Sequence, residues 1–251
     1  MPATWEILEQ ATTKRKQLLL TGYSPLPAVG KRPAPTAWQN LRVTEEIIDS
    51  WFDSFPDALN TGILTADVPA VDIDVLDNDV AEEIEMLLWE TLGTRGSIRF
   101  GKRPKRASLC RTDTPFKKIV TPKFTAPNGT ENKVEILGDG QQIIISGIHP
   151  DTHQPYAWFG GEPGLVRRAD LPELSEEQAR AFIDKAEGVL RAQPGWIEKK
   201  PDKTTNGAAA PGTMPNIFGC MATASRAIPR RRCRARSPSL PACRQAAGIT
   251  A

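Results

Sequence analysis

Residues 70–75 read AVDIDV, with Asp72 and Asp74 set between Val71, Ile73 and Val75. In an extended chain, residues i and i+2 share a face. The two carboxylates therefore point the same way, with α-carbons roughly 6–7 Å apart, while the apolar residues point into a core. Acids are poor strand formers, and like charges side by side destabilise a sheet. A solvated sheet face would have to accept that unfavourable choice twice. A divalent cation between the carboxylates would instead turn repulsion into ligation, and Mg²⁺ takes one or two protein carboxylates and completes its shell with phosphate oxygens and water.

A third acid occupies a similar position. Glu135 lies between Val134 and Ile136 in KVEIL, ahead of Gly138-Asp139-Gly140 and a second apolar run, QQIIIS. That pattern reads as a hairpin. Three carboxylates on neighbouring strands could hold the two ions of a phosphoryl-transfer site, one activating the attacking oxygen and one stabilising the leaving group. On its own, Glu135 reads equally well as a surface acid.

Cations lie between these acids in sequence. Residues 95–123 carry ten Lys or Arg against the single Asp113. Within RFGKRPKRASLCR, Lys102, Arg103, Lys105 and Arg106 could neutralise triphosphate or template phosphates, and Lys31 and Arg32 in GKRP add two more. A solvated loop would account for any one of them. GKRP lacks the G-x-x-x-x-G-K-[ST] spacing of a phosphate loop. The two histidines, His149 and His153, have no Ser or Cys arrangement that suggests nucleophilic catalysis. His149, in SGIHPDT, reads as a turn residue or as a hydrogen-bond donor to a phosphate.

The elements that must position these residues are legible as patterns. A first helix carrying Ile7, Leu8 and Leu18 to Leu20 stops at Gly22, and the proline-rich YSPLPAVGKRPAPTAW reads as a short strand and an ordered loop. Thr44 caps a helix with Ile47, Ile48, Trp51 and Phe52 at helical spacing. TGILTA and AVDIDV read as strands, and Asp79 and Glu82 as a capping box for a helix over about 79–92. From 96 to 159 the runs SIRF, ASLCR, KKIVTPKF, KVEIL, QQIIIS and YAWF are β-like, and Ser175 and Gln178 cap a last amphipathic helix. The fold class is α+β.

In this 251-residue chain no apolar run reaches the ~18 residues of a membrane span, and the N-terminus reads as a helix, so the expected location is cytoplasmic with no membrane partner. Residues 1–195 read as the folded domain and 196–218 as a linker. Residues 219–251 carry seven arginines and no acid, which leaves −5 on residues 1–218 of a chain whose net charge is +2. That tail reads as a basic disordered arm, and its Ala, Arg, Pro, Ser and Cys content also fits out-of-frame translation of a GC-rich gene. The four cysteines lack paired metal-ligand spacing and read as free thiols.

Taken in order, GYSPLPAVGKRPAPTAW, NTGILTADVPAVDIDV and KVEILGDGQQIIISGIHPDTHQPYAW resemble the N-terminal primase–polymerase domain of bifunctional DNA primase/polymerase proteins of phages, plasmids and mobile elements, a branch of the archaeo-eukaryotic primase superfamily. The resemblance runs over about residues 12–190. It implies an α+β catalytic core with an RRM-like antiparallel or mixed sheet flanked by helices, and template-dependent nucleotidyl transfer. It also implies two Mg²⁺ or Mn²⁺ ions on Asp72, Asp74 and Glu135, with His149 near the incoming nucleotide. Single-stranded DNA and dNTPs or NTPs would be the partners, with a separately encoded helicase. Many family members carry a histidine between the two acid motifs; residues 95–125 contain none, and Lys105 and Arg106 are the cations in its region. A metal-dependent nuclease or phosphoesterase, and a non-catalytic nucleic-acid-binding fragment, are the alternatives.

Overall fold

The computed structural model describes residues 4–199. The readings of the linker beyond residue 199 and of the 219–251 tail fall outside the described residues. In chain order the elements are α1 (Thr4–Leu20), β1 (Pro25–Val29), β2 (Arg32–Pro33), α2 (Glu45–Ser54), β3 (Asn60–Leu64), β4 (Ala70–Asp74), α3 (Asn78–Leu92), β5 (Ile98–Phe100), β6 (Arg106–Leu109), β7 (Ile119–Val120), β8 (Lys123–Thr125), β9 (Glu131–Leu137), β10 (Gln142–Ser146), β11 (Ala157–Phe159), α4 (Glu176–Ala192) and β12 (Ile197–Lys199). The fold is a mixed α+β arrangement in which the paired strands run antiparallel. No helix among the described residues is long and apolar enough to cross a membrane.

The local signals hold where chain chemistry alone sets them. Thr44 accepts a hydrogen bond from the Ile47 N–H at the start of α2, and Ser175 and Gln178 form a reciprocal capping box at α4. The start of α3 differs from the sequence expectation. Asp77, not Asp79, is the cap, accepting from the Asp79 and Val80 N–H groups at 3.1 Å each, while Glu82 accepts from the Asn78 side chain. An aspartate two residues earlier reaches the free N–H groups first. Residues 197–199, assigned to the linker from sequence, form β12 and extend the edge of the large sheet by pairing with β8.

That large sheet runs β11-β5-β6-β4-β9-β8-β12, with β7 also paired to β9; a second sheet runs β10-β3-β1-β2. The expected hairpin at Gly138-Asp139-Gly140 does not form. The strands on either side of it enter different sheets, β9 beside β4 and β10 beside β3. Between them the backbone lies against residue 116: the Asp139 N–H donates to the Phe116 carbonyl oxygen, and a Cβ at Gly138 would stand 2.1 Å from that oxygen, an approach that only glycine allows. Gly140 then takes φ +80°, a conformation open to glycine. Pinned against residue 116, the chain leaves one sheet and joins the other.

Two cores flank the large sheet. On one side, Val71, Ile73 and Val75 meet Val134 and Ile136 of β9 and the inner faces of α3 (Ile84, Leu88) and α4 (Phe182, Ile183, Leu190). On the other, Ala70, Ala107, Leu109 and Leu137 pack against Ile63 of β3, Ile143 and Ile145 of β10, and Leu18 of α1. β4 therefore contributes to both. Ile73 is fully buried at the centre of the first core. Ile73→Ala should cost about 2–5 kcal/mol, read as a lower denaturation midpoint in urea; a loss below ~1 kcal/mol would contradict this packing.

Candidate active site

The second core covers only part of its sheet face. Ala70 lies under β3 and β10, whereas Asp72 and Asp74, further along the same face of β4, open into a cleft. The cleft encloses about 280 Å³, at the lower edge of the range of ligand pockets. Its walls come from the β1–β2 turn (Lys31), β5 and the turn after it (Arg99, Gly101, Lys102, Lys105), β10 (Gln142, Ile144) and the following loop (His149, Asp151, Tyr156).

Register brings the acids together. Asp72 pairs with Glu135 on β9 and with Ala107 on β6, and Asp74 pairs with Lys133. Residues directly opposite one another in an antiparallel pair share a face. The three carboxylates singled out from sequence thus lie on one side of adjacent strands. Each is treated differently. Asp74 is paired with Lys105 at 2.5 Å. Glu135 is buried and accepts from both Lys118, at 2.7 Å, and Lys133 on one carboxylate oxygen. Burial acts to raise its pKa, but the two ammonium groups outweigh it and hold Glu135 below its ordinary value. Asp72 makes no ion pair with a lysine among the described residues, though the charge of Lys133 acts weakly to lower its pKa. Burial, with Asp74 and Glu135 adding to it against the opposing charge of Arg99, pushes its pKa up to about 6. No three His, Cys, Asp or Glu side chains among the described residues converge where they could jointly hold a metal ion.

The cations divide by face. Lys105 lies on the acid side. Arg106, one residue on, pairs with Ile73 and turns its guanidinium to the helix side, where it is buried against Glu85 of α3 and also donates to the Pro104 carbonyl. It forms part of the cleft wall, yet its charge is engaged away from the acids. Lys31 lines the cleft, whereas the exposed Arg32 lines a separate hollow with Val29, Pro33 and Trp38.

Arg99 was not singled out from sequence. It pairs with Ala107, on the face of Asp72, donates to the Ile144 carbonyl and stacks 5.0 Å over the Tyr156 ring. An arginine between Ile98 and Phe100 in a short apolar strand is the same kind of signal as the two aspartates. His149 is buried, with its Nδ1 accepting the Asp151 and Thr152 N–H groups at 3.2 and 3.4 Å. Its pKa is lowered, first by burial and then by Lys31, with Arg99 and Lys102 adding to the effect against Asp151. In the neutral ring the proton is therefore on Nε2.

Asn60, also missed, ties the walls together. Its side chain donates to the Gly30 and Ile148 carbonyls and accepts the Ile148 N–H, all at 2.8 Å. The turn carrying Lys31 and the loop carrying His149 are thereby held in one position.

The sequence matches the family described as bifunctional DNA primase/polymerase, N-terminal, over residues 15–174. The chain belongs to that family. Membership carries with it primase/polymerase-type nucleotidyl transfer and DNA and nucleotide substrates in general. The matched span takes in all three acids, Lys31, Arg99, Lys105 and His149. No curated protein compared with the chain matches it.

Two outcomes follow from this geometry. Asp72 keeps its proton in the folded protein at pH values where an unfolded chain has released it, so its contribution to stability is complete below about pH 4 and lost as pH rises through about 6. In EDTA, wild type should lose up to ~3 kcal/mol over that interval relative to Asp72→Asn, measured by urea unfolding at each pH; parallel pH curves would refute the assignment. Separately, a Cβ at Gly101 would stand 2.7 Å from both the His149 and Tyr156 rings. Gly101→Ala should cost about 1–3 kcal/mol and shift the His149 ring resonances in NMR spectra.

Proposed function

We propose that this chain is a template-dependent nucleotidyltransferase, a DNA primase/polymerase, that extends a strand with dNTPs or NTPs. The observation that carries the reading is the composition of one cleft, with Asp72 and Asp74 at its floor and Lys31, Arg99, Lys102, Lys105 and His149 around it. Fixed cations in a partly enclosed site suit the charge of a triphosphate, and carboxylates beside them suit a divalent ion.

The donor set fits Mg²⁺ or Mn²⁺. All three candidates are hard oxygen ligands on one sheet face, and Asp74 and Glu135 already hold cations in the form of lysine ammonium groups. Asp72, Asp74 and Glu135 would hold the metal, Glu135 on release from Lys118 and Lys133. Bound there, one or two such ions supply charge neutralisation and activate the attacking hydroxyl. The chain's own groups do the rest. Lys31, Lys102 and Arg99 bind and orient the phosphates, and His149 donates Nε2–H to a phosphate oxygen. Lys105 is a cation in the region where many family members have a histidine; Arg106 contributes by holding its strand to α3. The RRM-like reading of the sheet belongs to the same proposal, with helices α3 and α4 on one face and the acids on the other.

The biological setting we assign is replication of a phage, plasmid or other mobile element in the cytoplasm, with a helicase as working partner. Extension of a primed single-stranded template, and de novo synthesis, should be measured with dNTPs and NTPs in Mg²⁺ or Mn²⁺. Asp72→Ala with Asp74→Ala should lower both by roughly 10³-fold, the scale on which a principal electrostatic group acts. Undiminished synthesis would remove the mechanism. Nucleotide-independent cleavage of labelled DNA would point to a nuclease, and strand binding without turnover in either metal to a non-catalytic fragment.

A further inference from the structure

Arg15, in α1, is fully buried and pairs with no acid among the described residues. Burial pulls its pKa down to about 10, so it stays charged at neutral pH. Its Nε and Nη1 have no hydrogen-bond partner among the described residues. Nη2 is engaged, and it donates to two carbonyls, that of Ala58 and, at 3.0 Å, that of Asn60. The cleft does not use this charge directly, and burying it without a counter-ion costs stability. An apolar side chain of similar length would fill the space at lower cost. What arginine adds is a fixed hold on the backbone at Ala58 and Asn60.

Asn60 is where two walls of the cleft are joined. Its side chain takes up the Gly30 carbonyl beside Lys31, and both the carbonyl and the N–H of Ile148 beside His149. The fit is close: Gly147, at φ +108°, brings the loop so near that a Cβ there would stand 2.0 Å from Asn60 Oδ1. Lys31, His149 and Asp151 line the cleft, whereas their neighbours Gly30, Ile148 and Pro150 line a separate, mainly apolar hollow of about 520 Å³. The turn and the loop thus stand between two openings, and a tie rather than a packed core sets their separation. A tie is only as fixed as its anchor. Asn60 opens β3, and Arg15 fastens that end of the strand to α1.

We infer that Arg15 is a positioning residue for the cleft: by anchoring Asn60 to α1 it sets the separation of Lys31 and His149, and with it the fit of the cleft to a triphosphate. The triphosphate rests on the nucleotidyltransferase reading; the link from α1 to the two walls does not.

The full chain is compared with Arg15→Met, which keeps the length and removes the hydrogen bonds, with Arg15→Lys, and with Asn60→Ala alone and combined with Arg15→Met. Three measurements are made without template: urea unfolding, the ring resonances of His149 in NMR spectra, and dGTP binding in Mg²⁺. Arg15→Met should still unfold cooperatively, yet shift the His149 resonances and weaken dGTP binding roughly tenfold, as when the competent arrangement falls to about a tenth of the molecules. Arg15→Lys, with one ammonium in place of the fork, should recover most of that affinity and leave a smaller shift. Because both residues act through one tie, Arg15→Met should add less than about twofold to the loss in Asn60→Ala. Unchanged resonances and affinity in Arg15→Met, or losses that multiply in the double variant, would overturn the inference. Should Arg15→Met fail to fold, Arg15→Lys decides: a His149 shift in the direction seen with Asn60→Ala supports the inference, and a wild-type spectrum overturns it. Resonance shifts in a protein whose wild type binds no dGTP would support the link while overturning the nucleotidyltransferase reading.

Discussion

Three carboxylates on adjacent strands must be kept from driving those strands apart, and the cleft is organised around that constraint. Asp72 and Glu135 face one another across β4 and β9, with Asp74 one step along. Repulsion among them is relieved in three ways. Lys105 neutralises Asp74, Lys118 and Lys133 neutralise Glu135, and Asp72 retains its proton to unusually high pH. The strands themselves are held by the opposite face, where Val71, Ile73, Val134 and Ile136 are fully buried under α3 and α4. Burial at roughly 25 cal/mol per Å² of apolar surface anchors a strand that its charged face would otherwise loosen.

The second sheet determines how much of the acid face is covered. β3 and β10 pack on Ala70, Leu109 and Leu137 and stop short of Asp72. Their connections carry the other functional groups: the β1–β2 turn brings Lys31, and the loop after β10 brings His149 and Tyr156. Asn60 joins these two connections through three hydrogen bonds, and the absence of a side chain at Gly101 lets the two rings close on β5. A cleft built from such cross-linked loops on a rigid sheet is preorganised for a charged ligand.

Much of the fold was legible because it depends on short-range chemistry. The caps at Thr44 and Ser175 involve a side chain and an N–H three residues away, and the strand runs of 96–159 appear where their apolar patterns lie. The departures have longer-range causes. The runs on either side of Gly138-Asp139-Gly140 form no hairpin because each pairs with a strand distant in sequence, β9 with β4 and β10 with β3. β12 looks like linker because its residues are exposed, and pairing with β8 is what makes it a strand. Arg99 and Asn60 carried no motif, and their roles exist only through partners distant in sequence, Ile144 on β10 for Arg99 and the Gly30 turn and Ile148 loop for Asn60.

The sequence by itself determined that Asp72 and Asp74 share a face, since alternation along a strand is a property of the backbone. It also indicated the family, through motifs kept in order. Which cation meets which acid was decided by register. Aligning β6 with β4 so that Ala107 faces Asp72 sends Lys105 to Asp74 and Arg106 through the sheet to Glu85. A slip of one residue would exchange the two. Register is set by the packing of both cores together, and no local stretch of sequence contains that information.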